Sequence, residues 1–155
     1  MNVYVVCVGK LKEPYLRDAV AEYAKRLGRF CRLEVVELAE SKNTSTAPKD
    51  IGRAVEEEGE RILTALKGTV IALDLEGKEV TSEELARIVK TSVDKGESLT
   101  FVIGGSDGLS EAVKRRADCA VRFGRITLPH QLCRVVLVEQ IYRAFCINAG
   151  VRYHK

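Results

Sequence analysis

Glu139 and Arg143 stand four residues apart in a stretch, Pro129 to Asn148, that otherwise carries almost no charge. On a helix that spacing puts a carboxylate and a guanidinium within salt-bridge reach. With Arg134 and Gln140 they form the polar minority of an apolar segment, so they are either a structural pair at a subunit interface or a direct contact to substrate. The chain then ends on Arg152, Tyr153, His154 and Lys155. This aromatic, titratable and basic set suits stacking on a base and touching phosphate, although such a tail is ordered only where something nearby holds it. A second kind of chemistry is offered by Gly104-Gly105-Ser106-Asp107-Gly108, which follows the apolar run Leu99 to Ile103. Glycines at a strand end permit a sharp turn and let backbone groups approach a ligand closely; without a ligand the same residues are simply a tight turn. Gly124-Arg125-Ile126-Thr127-Leu128-Pro129-His130 sets a short apolar segment between two turns and opens a helix at proline. Leu73 to Lys78, LDLEGK, reads as a plain turn at another strand end.

Several chemistries are disfavoured. A dinucleotide fingerprint ending at Gly108 needs glycine where Ile103 stands, and no GK[ST] follows any glycine cluster, so neither a nicotinamide oxidoreductase nor a P-loop enzyme fits. His130 and Cys133, three apart at a helix start, have no further ligands in the sequence, and no metal is expected. Cys133 and Cys146 lie among large apolar residues, where a thiol is a filler rather than a nucleophile.

The elements that position these residues alternate along the chain. Strands are expected at Val3 to Val8, Leu33 to Leu38, Thr69 to Asp74, Leu99 to Ile103 and Cys119 to Phe123. Helices are expected at Pro14 to Leu27, Asp50 to Lys67, Ser82 to Asp94, Ser110 to Ala117 and Pro129 to Asn148. Thr81 and Glu84 form a capping box ahead of Leu85, Ile88, Val89 and Val93. The alternation predicts an α/β fold, a mostly parallel sheet flanked by helices on both faces, in one domain spanning 1–155. In such sheets ligands gather beyond the carboxyl ends of the strands, which directs attention to the turns after Asp74, Ile103 and Phe123. Ala39 to Lys49 reads as a mobile polar surface loop. The last helix is apolar on more than one side, through Leu132, Val135, Val136, Leu137, Val138, Ile141, Tyr142 and Phe145, so it needs two things to pack against.

With 155 residues, 46% of them hydrophobic, the chain can bury about 70% of the surface it exposes when unfolded. Five scattered cysteines without a CxxC pair suit a reducing compartment. No stretch approaches the roughly 18 apolar residues of a membrane span, and a soluble, cytoplasmic protein is expected. From Glu111 onward nine Lys and Arg face three acids, whereas the preceding residues are net acidic. That asymmetry suits an anionic partner such as nucleic acid, or a solvated basic face.

Taken together, Val8-Gly9-Lys10, Glu58-Gly59-Glu60, Leu73 to Lys78, the Ile103 to Leu109 turn, Thr127 to His130, Arg134 with Glu139, Tyr142-Arg143-Ala144 and the closing Tyr153-His154 resemble the RlmH family. Its members are small SPOUT-class methyltransferases that modify N3 of a pseudouridine in large-subunit ribosomal RNA. The likeness covers essentially the whole length and is weakest over Ala39 to Lys49.

The resemblance implies a C-terminal trefoil knot and S-adenosylmethionine as methyl donor, held by Leu73, by Gly104 and Gly105, and by Gly124, Arg125, Ile126, Thr127, Leu128 and Pro129. It implies a homodimer with a composite active site, the last helix supplying much of the interface. Within that frame the catalytic residues are expected to be Glu139, Arg143, Tyr153 and His154, the last two being the only aromatic and titratable pair in the tail. His154 is expected to remove or relay the N3 proton and Tyr153 to order the base, because an imidazole titrates near neutrality, at roughly 6.5. Arg134, Arg152 and Arg143 are expected at the RNA, with Glu139 fixing Arg143. Action on the assembled ribosome and weak binding to an isolated hairpin are expected. The alternative is a non-catalytic RNA-binding or ribosome-associated module.

Overall fold

The computed structural model describes residues 1–155. Five strands alternate with five helices: β1 (Asn2–Val8), α1 (Pro14–Leu27), β2 (Arg32–Leu38), α2 (Pro48–Ala65), β3 (Thr69–Glu79), α3 (Ser82–Asp94), β4 (Leu99–Ile103), α4 (Glu111–Arg116), β5 (Cys119–Arg122) and α5 (His130–Asn148). Every strand pair is parallel, in the order β2-β1-β4-β3-β5. Val3 to Val8 are all buried, as an uninterrupted apolar strand should be when both faces of a sheet are covered. Alternation assigns the faces. Val3, Val5, Ile71 and Phe101 pack with Leu16 and Val20 of α1, Leu85 and Val89 of α3, and Leu137 and Ile141 of α5. Tyr4, Val6, Val70 and Val102 turn the other way, onto Ile62 of α2 and Val113 of α4.

Local signals account for most boundaries. The Thr81 hydroxyl accepts the Glu84 N–H at 3.1 Å while the Glu84 carboxylate accepts the Thr81 N–H at 2.8 Å, so α3 begins where its capping box lies. Helix α2 starts at Pro48, earlier than the expected Asp50, because proline is pre-organised for the first helical position. The expected end of β3 at Asp74 needs correction. The strand continues to Glu79 through an irregularity in which both Leu73 and Lys78 lie opposite Val121. Gly77 permits this return: a Cβ there would sit 2.7 Å from the Ala120 and Val121 backbone. No strand forms between Gly124 and Pro129. The Ala39 to Lys49 stretch is irregular and mostly exposed, and its start is tied to α2, where Arg61 donates to the Ala39 carbonyl at 2.8 Å and Glu58 accepts the Ser41 N–H at 3.1 Å.

Gly59 of α2 is buried against the N-cap of α4, where a Cβ would clash with Ser110 Oγ. Gly59→Val is therefore expected to lower stability by about 1–3 kcal/mol through overpacking, measured by urea unfolding.

Helix α5 packs between α1 and α3, although β5, the strand before it, lies at the far edge of the sheet. Arg134 makes that return. Its guanidinium donates to Glu37 of β2 at 2.6 Å and to the Gly9 carbonyl, just past β1, at 3.0 Å. Arg134 is 1% exposed. The expectation that it contacts RNA is corrected: with Nη1 and Nη2 committed and Nε buried without a partner, the side chain is an internal tether closed off from an RNA phosphate.

Candidate active site

Leu73 lies opposite Ile103 of β4 on one side and Val121 of β5 on the other, so the carboxyl ends of β4 and β5 flank β3 where its irregularity begins. Leu73, Gly104 with Gly105, and Gly124 to Pro129 thereby share one end of the sheet, as the three turn signals in the sequence required. Gly104 is packed so closely that a Cβ would meet the Gly108 backbone at 2.7 Å. Gly108, at φ +86°, donates its N–H to the Gly105 carbonyl at 3.1 Å and closes the turn. Gly105 has more room on the side facing Glu58, where a Cβ would come within 3.1 Å of a carboxylate oxygen at the end of a flexible side chain. Burial raises the Glu58 pKa above the usual carboxylate range.

Beyond β5 the chain offers a row of open backbone groups. No N–H from Gly124 to Leu128 donates to another group of the chain. Ile126 is 82% exposed, Leu73 and Leu128 are half-buried, and Arg125 is exposed without an ion pair. Apolar surface beside unpaired backbone donors and acceptors suits a flat heteroaromatic ring. These residues therefore fit the adenosine part of a methyl donor.

The polar residues of α5 gather the tail. Glu139 accepts from Arg143 Nε at 3.1 Å, from the Tyr153 hydroxyl at 3.0 Å and from Gln140 Nε2 at 2.8 Å. The Arg143 guanidinium lies 4.7 Å from the Tyr153 ring centre and donates to His154 Nδ1 at 3.2 Å. Tyr153 packs edge-on to Tyr142 at 4.8 Å, next to α1. Glu139, Arg143, Tyr153 and His154 thus form one connected cluster, and Arg152 projects from it, exposed and free of any ion pair. Burial first, and then the Glu139 hydrogen bond, pushes the Tyr153 phenol up to about 12. It is a neutral donor at physiological pH and not a base.

Glu139 and Arg143 lie nine and thirteen residues beyond the start of α5, roughly 14–20 Å along the helix axis. A small hollow elsewhere, lined by Asn2, Tyr4, Arg32 and Glu34, opens at the opposite end of the sheet and belongs to neither the row of open backbone groups nor this cluster. Two participants escaped the sequence reading. Glu37 stood out only as a carboxylate in the otherwise apolar Val35 to Leu38. Glu83, which meets His154 Nε2 at 2.8 Å, looked like an ordinary acid in the first turn of α3. A contact across 71 residues leaves no local trace.

Buried Cys7 and Cys31 have thiols pushed up to about 11, mainly by burial, and burial raises Cys133 as well. These thiols are expected to react slowly with a thiol reagent at neutral pH and rapidly once the chain is unfolded in urea, read by absorbance.

A family model described as "Predicted SPOUT methyltransferase" matches residues 1–154. A Streptococcus pneumoniae protein named Ribosomal RNA large subunit methyltransferase H is 51% identical, covering 100% of both chains. The protein of the same name from Lactobacillus delbrueckii subsp. bulgaricus is 50% identical, again over 100% of both. Among solved structures, a methylase family protein from Neisseria gonorrhoeae superposes with a TM-score of 0.56 at 15% identity, covering 91% of this chain and 81% of that one. A Legionella pneumophila methyltransferase with bound SAM gives 0.51 at 10% identity, covering 93% and 66%. Both share the fold. By the match over residues 1–154 and relatives half identical along their full length, the chain belongs to the SPOUT methyltransferase family.

Proposed function

We propose that this protein methylates large-subunit ribosomal RNA with S-adenosylmethionine, at N3 of a pseudouridine, on the assembled ribosome and as a homodimer. The observation that carries this reading is the full-length half identity to relatives named as ribosomal RNA large subunit methyltransferases. The ledge of apolar side chains and unpaired backbone N–H groups at the ends of β4 and β5 supports the donor assignment. The return of α5 across the sheet supports a knotted C-terminal path.

S-adenosylmethionine supplies, when bound, a methyl group on a sulfonium sulfur that leaves as a neutral thioether. Leu73, Gly104, Gly105 and Gly124 to Pro129 would hold it, with apolar contact and backbone hydrogen bonds. The protein's remaining task is to place the acceptor and remove its N3 proton. His154 takes that proton, leaving the N3 electron pair free to bond to the methyl carbon. Tyr153 stays neutral, donates its one hydroxyl hydrogen to Glu139, and orders the base through its hydroxyl oxygen or its ring. Arg143, fixed by Glu139, and the exposed Arg152 meet phosphate.

A two-fold partner can bring its tail to this chain's ledge, and the reverse. The exposed Leu132 and half-buried Val136 on the outer side of α5 supply apolar surface for it.

Incubation with labelled S-adenosylmethionine and free large-subunit RNA, separated subunits or whole ribosomes, followed by mapping of the label, tests the reading. Label at a pseudouridine N3, strongest on ribosomes, is the expected result. Donor binding without incorporation into any RNA would sink the assigned substrate, and absence of donor binding would favour the non-catalytic module. Arg152→Ala is expected to weaken ribosome binding and to reduce the slope of log affinity against log salt by about 1.

A further inference from the structure

We propose that Glu83 is a positioning residue for methyl transfer: it holds the hydrogen of His154 on Nε2, so that Nδ1 is the nitrogen that accepts the substrate proton. The inference rests on His154 acting as proposed above. It starts from the two partners of the imidazole. On one side Arg143 Nη1 lies 3.2 Å from Nδ1, and on the other Glu83 Oε1 lies 2.8 Å from Nε2. A guanidinium only donates and an ionised carboxylate only accepts. Nδ1 must therefore carry the lone pair and Nε2 the hydrogen. Three elements set this arrangement, with Glu83 coming from the first turn of α3, Arg143 from α5 and His154 from the tail.

The charged and titratable groups around the ring are Glu83 from α3, Arg143 and Glu139 from α5, and Tyr153 in the tail, itself faced by Tyr23 of α1. Only Glu83 touches Nε2 among the ion pairs and hydrogen bonds of the chain. Its own backbone N–H and His154 keep its carboxyl below the usual carboxylate range, so it is ionised and able to accept at neutral pH. The consequence is a division of labour across one ring. Glu83 fixes the orientation and stabilises the imidazolium once Nδ1 has taken the proton. Arg143 Nη1 covers Nδ1 in the free protein and uncovers it when an RNA phosphate competes for that nitrogen, while Nε stays on Glu139. The proton passes from substrate N3 to Nδ1, then to solvent. The N3 electron pair forms the new bond to carbon, and the old carbon–sulfur pair stays on sulfur.

The test uses the full-length protein with 15N-labelled histidine. Long-range 1H–15N spectra are expected to show His154 with its hydrogen on Nε2, and Glu83→Ala to mix the tautomers. In single-turnover methylation of ribosomes at saturating donor, Glu83→Ala is expected to slow transfer by about tenfold or more, part of the roughly 10²- to 10⁴-fold that positioned acid–base groups contribute. Donor affinity and melting temperature should stay unchanged, and Glu83→Asp should restore part of the rate. A wild-type His154 with its hydrogen on Nδ1, or a Glu83→Ala protein matching wild type in both tautomer and rate while His154→Ala is inactive, would overturn the role of Glu83 alone. If Glu83→Ala mixes the tautomers and His154→Ala still methylates at the wild-type rate, the proton-transfer reading of His154 falls, and this inference with it.

Discussion

Arg134→Ala is expected to destabilise the protein by about 1–3 kcal/mol, through the lost hydrogen bonds of a buried guanidinium, while the partly exposed Glu37 left behind stays hydrated. At this chain length that corresponds to a fall in melting temperature of about 3–10 °C. The guanidinium is 1% exposed and reaches both Glu37 and the Gly9 carbonyl. Its loss would leave Glu37 with the Leu11 N–H as its remaining hydrogen-bond donor. Glu37→Gln should cost less, since an amide oxygen still accepts from Arg134. The pair also sets a pH dependence. Burial pushes the Glu37 carboxyl up, but the Leu11 N–H and Arg134 outweigh it and hold the pKa below the usual carboxylate range. A carboxyl depressed in the folded state adds stability above its unfolded pKa and loses it as pH falls through the folded value. Wild type should therefore lose stability on acidification through the carboxylate range more steeply than Glu37→Gln. Equal melting curves for wild type and Arg134→Ala at pH 7 would refute the tether.

Glu139→Ala is expected to reduce single-turnover methylation by about a hundredfold or more while leaving the fold intact, within the roughly 10²- to 10⁴-fold range of positioned acid–base groups. Glu139 is the common acceptor for Arg143, Tyr153 and Gln140, so its removal frees the tail that carries His154. An independent reading comes from ultraviolet titration of the phenol. Tyr153 sits at about 12 in the folded protein, raised first by burial and then by Glu139. The variant should titrate lower, though still above the ordinary value of 10.0 as long as the ring stays buried. A phenol whose pKa is raised by folding adds stability below its unfolded value and loses it as pH climbs through the folded one. Wild type should accordingly lose stability between about pH 10 and 12. A Glu139→Ala protein with unchanged rate would show that the cluster only anchors the tail.

Much of the architecture was legible because its signals are local. Pro14 starts α1, the Thr81 and Glu84 box starts α3, and the continuous apolar run Val3 to Val8 marks a strand covered on both faces. The turns after β4 and β5 were legible too, since glycine and proline mark turns whatever surrounds them. The detour in β3 was not. LDLEGK has the composition of a turn, and only the approach of Gly77 to the β5 backbone explains why it remains in the sheet.

Side-chain partners divide the same way. Glu139 and Arg143 were paired by helical spacing, a rule that needs no knowledge of the fold. Arg134 was misplaced, since an arginine in an apolar helix reads alike whether it faces RNA or a carboxylate 97 residues away. Glu83 and His154 meet across 71 residues, a separation over which composition and periodicity carry no information. Propensity, capping and hydrophobic alternation act over a few residues, so the amino-acid order was enough for the elements, their alternation and the turns of the ledge. Which charge is buried, which is exposed and which tail residue meets which helix depend on the packing of α5 between α1 and α3, and that packing exists only once the chain has folded.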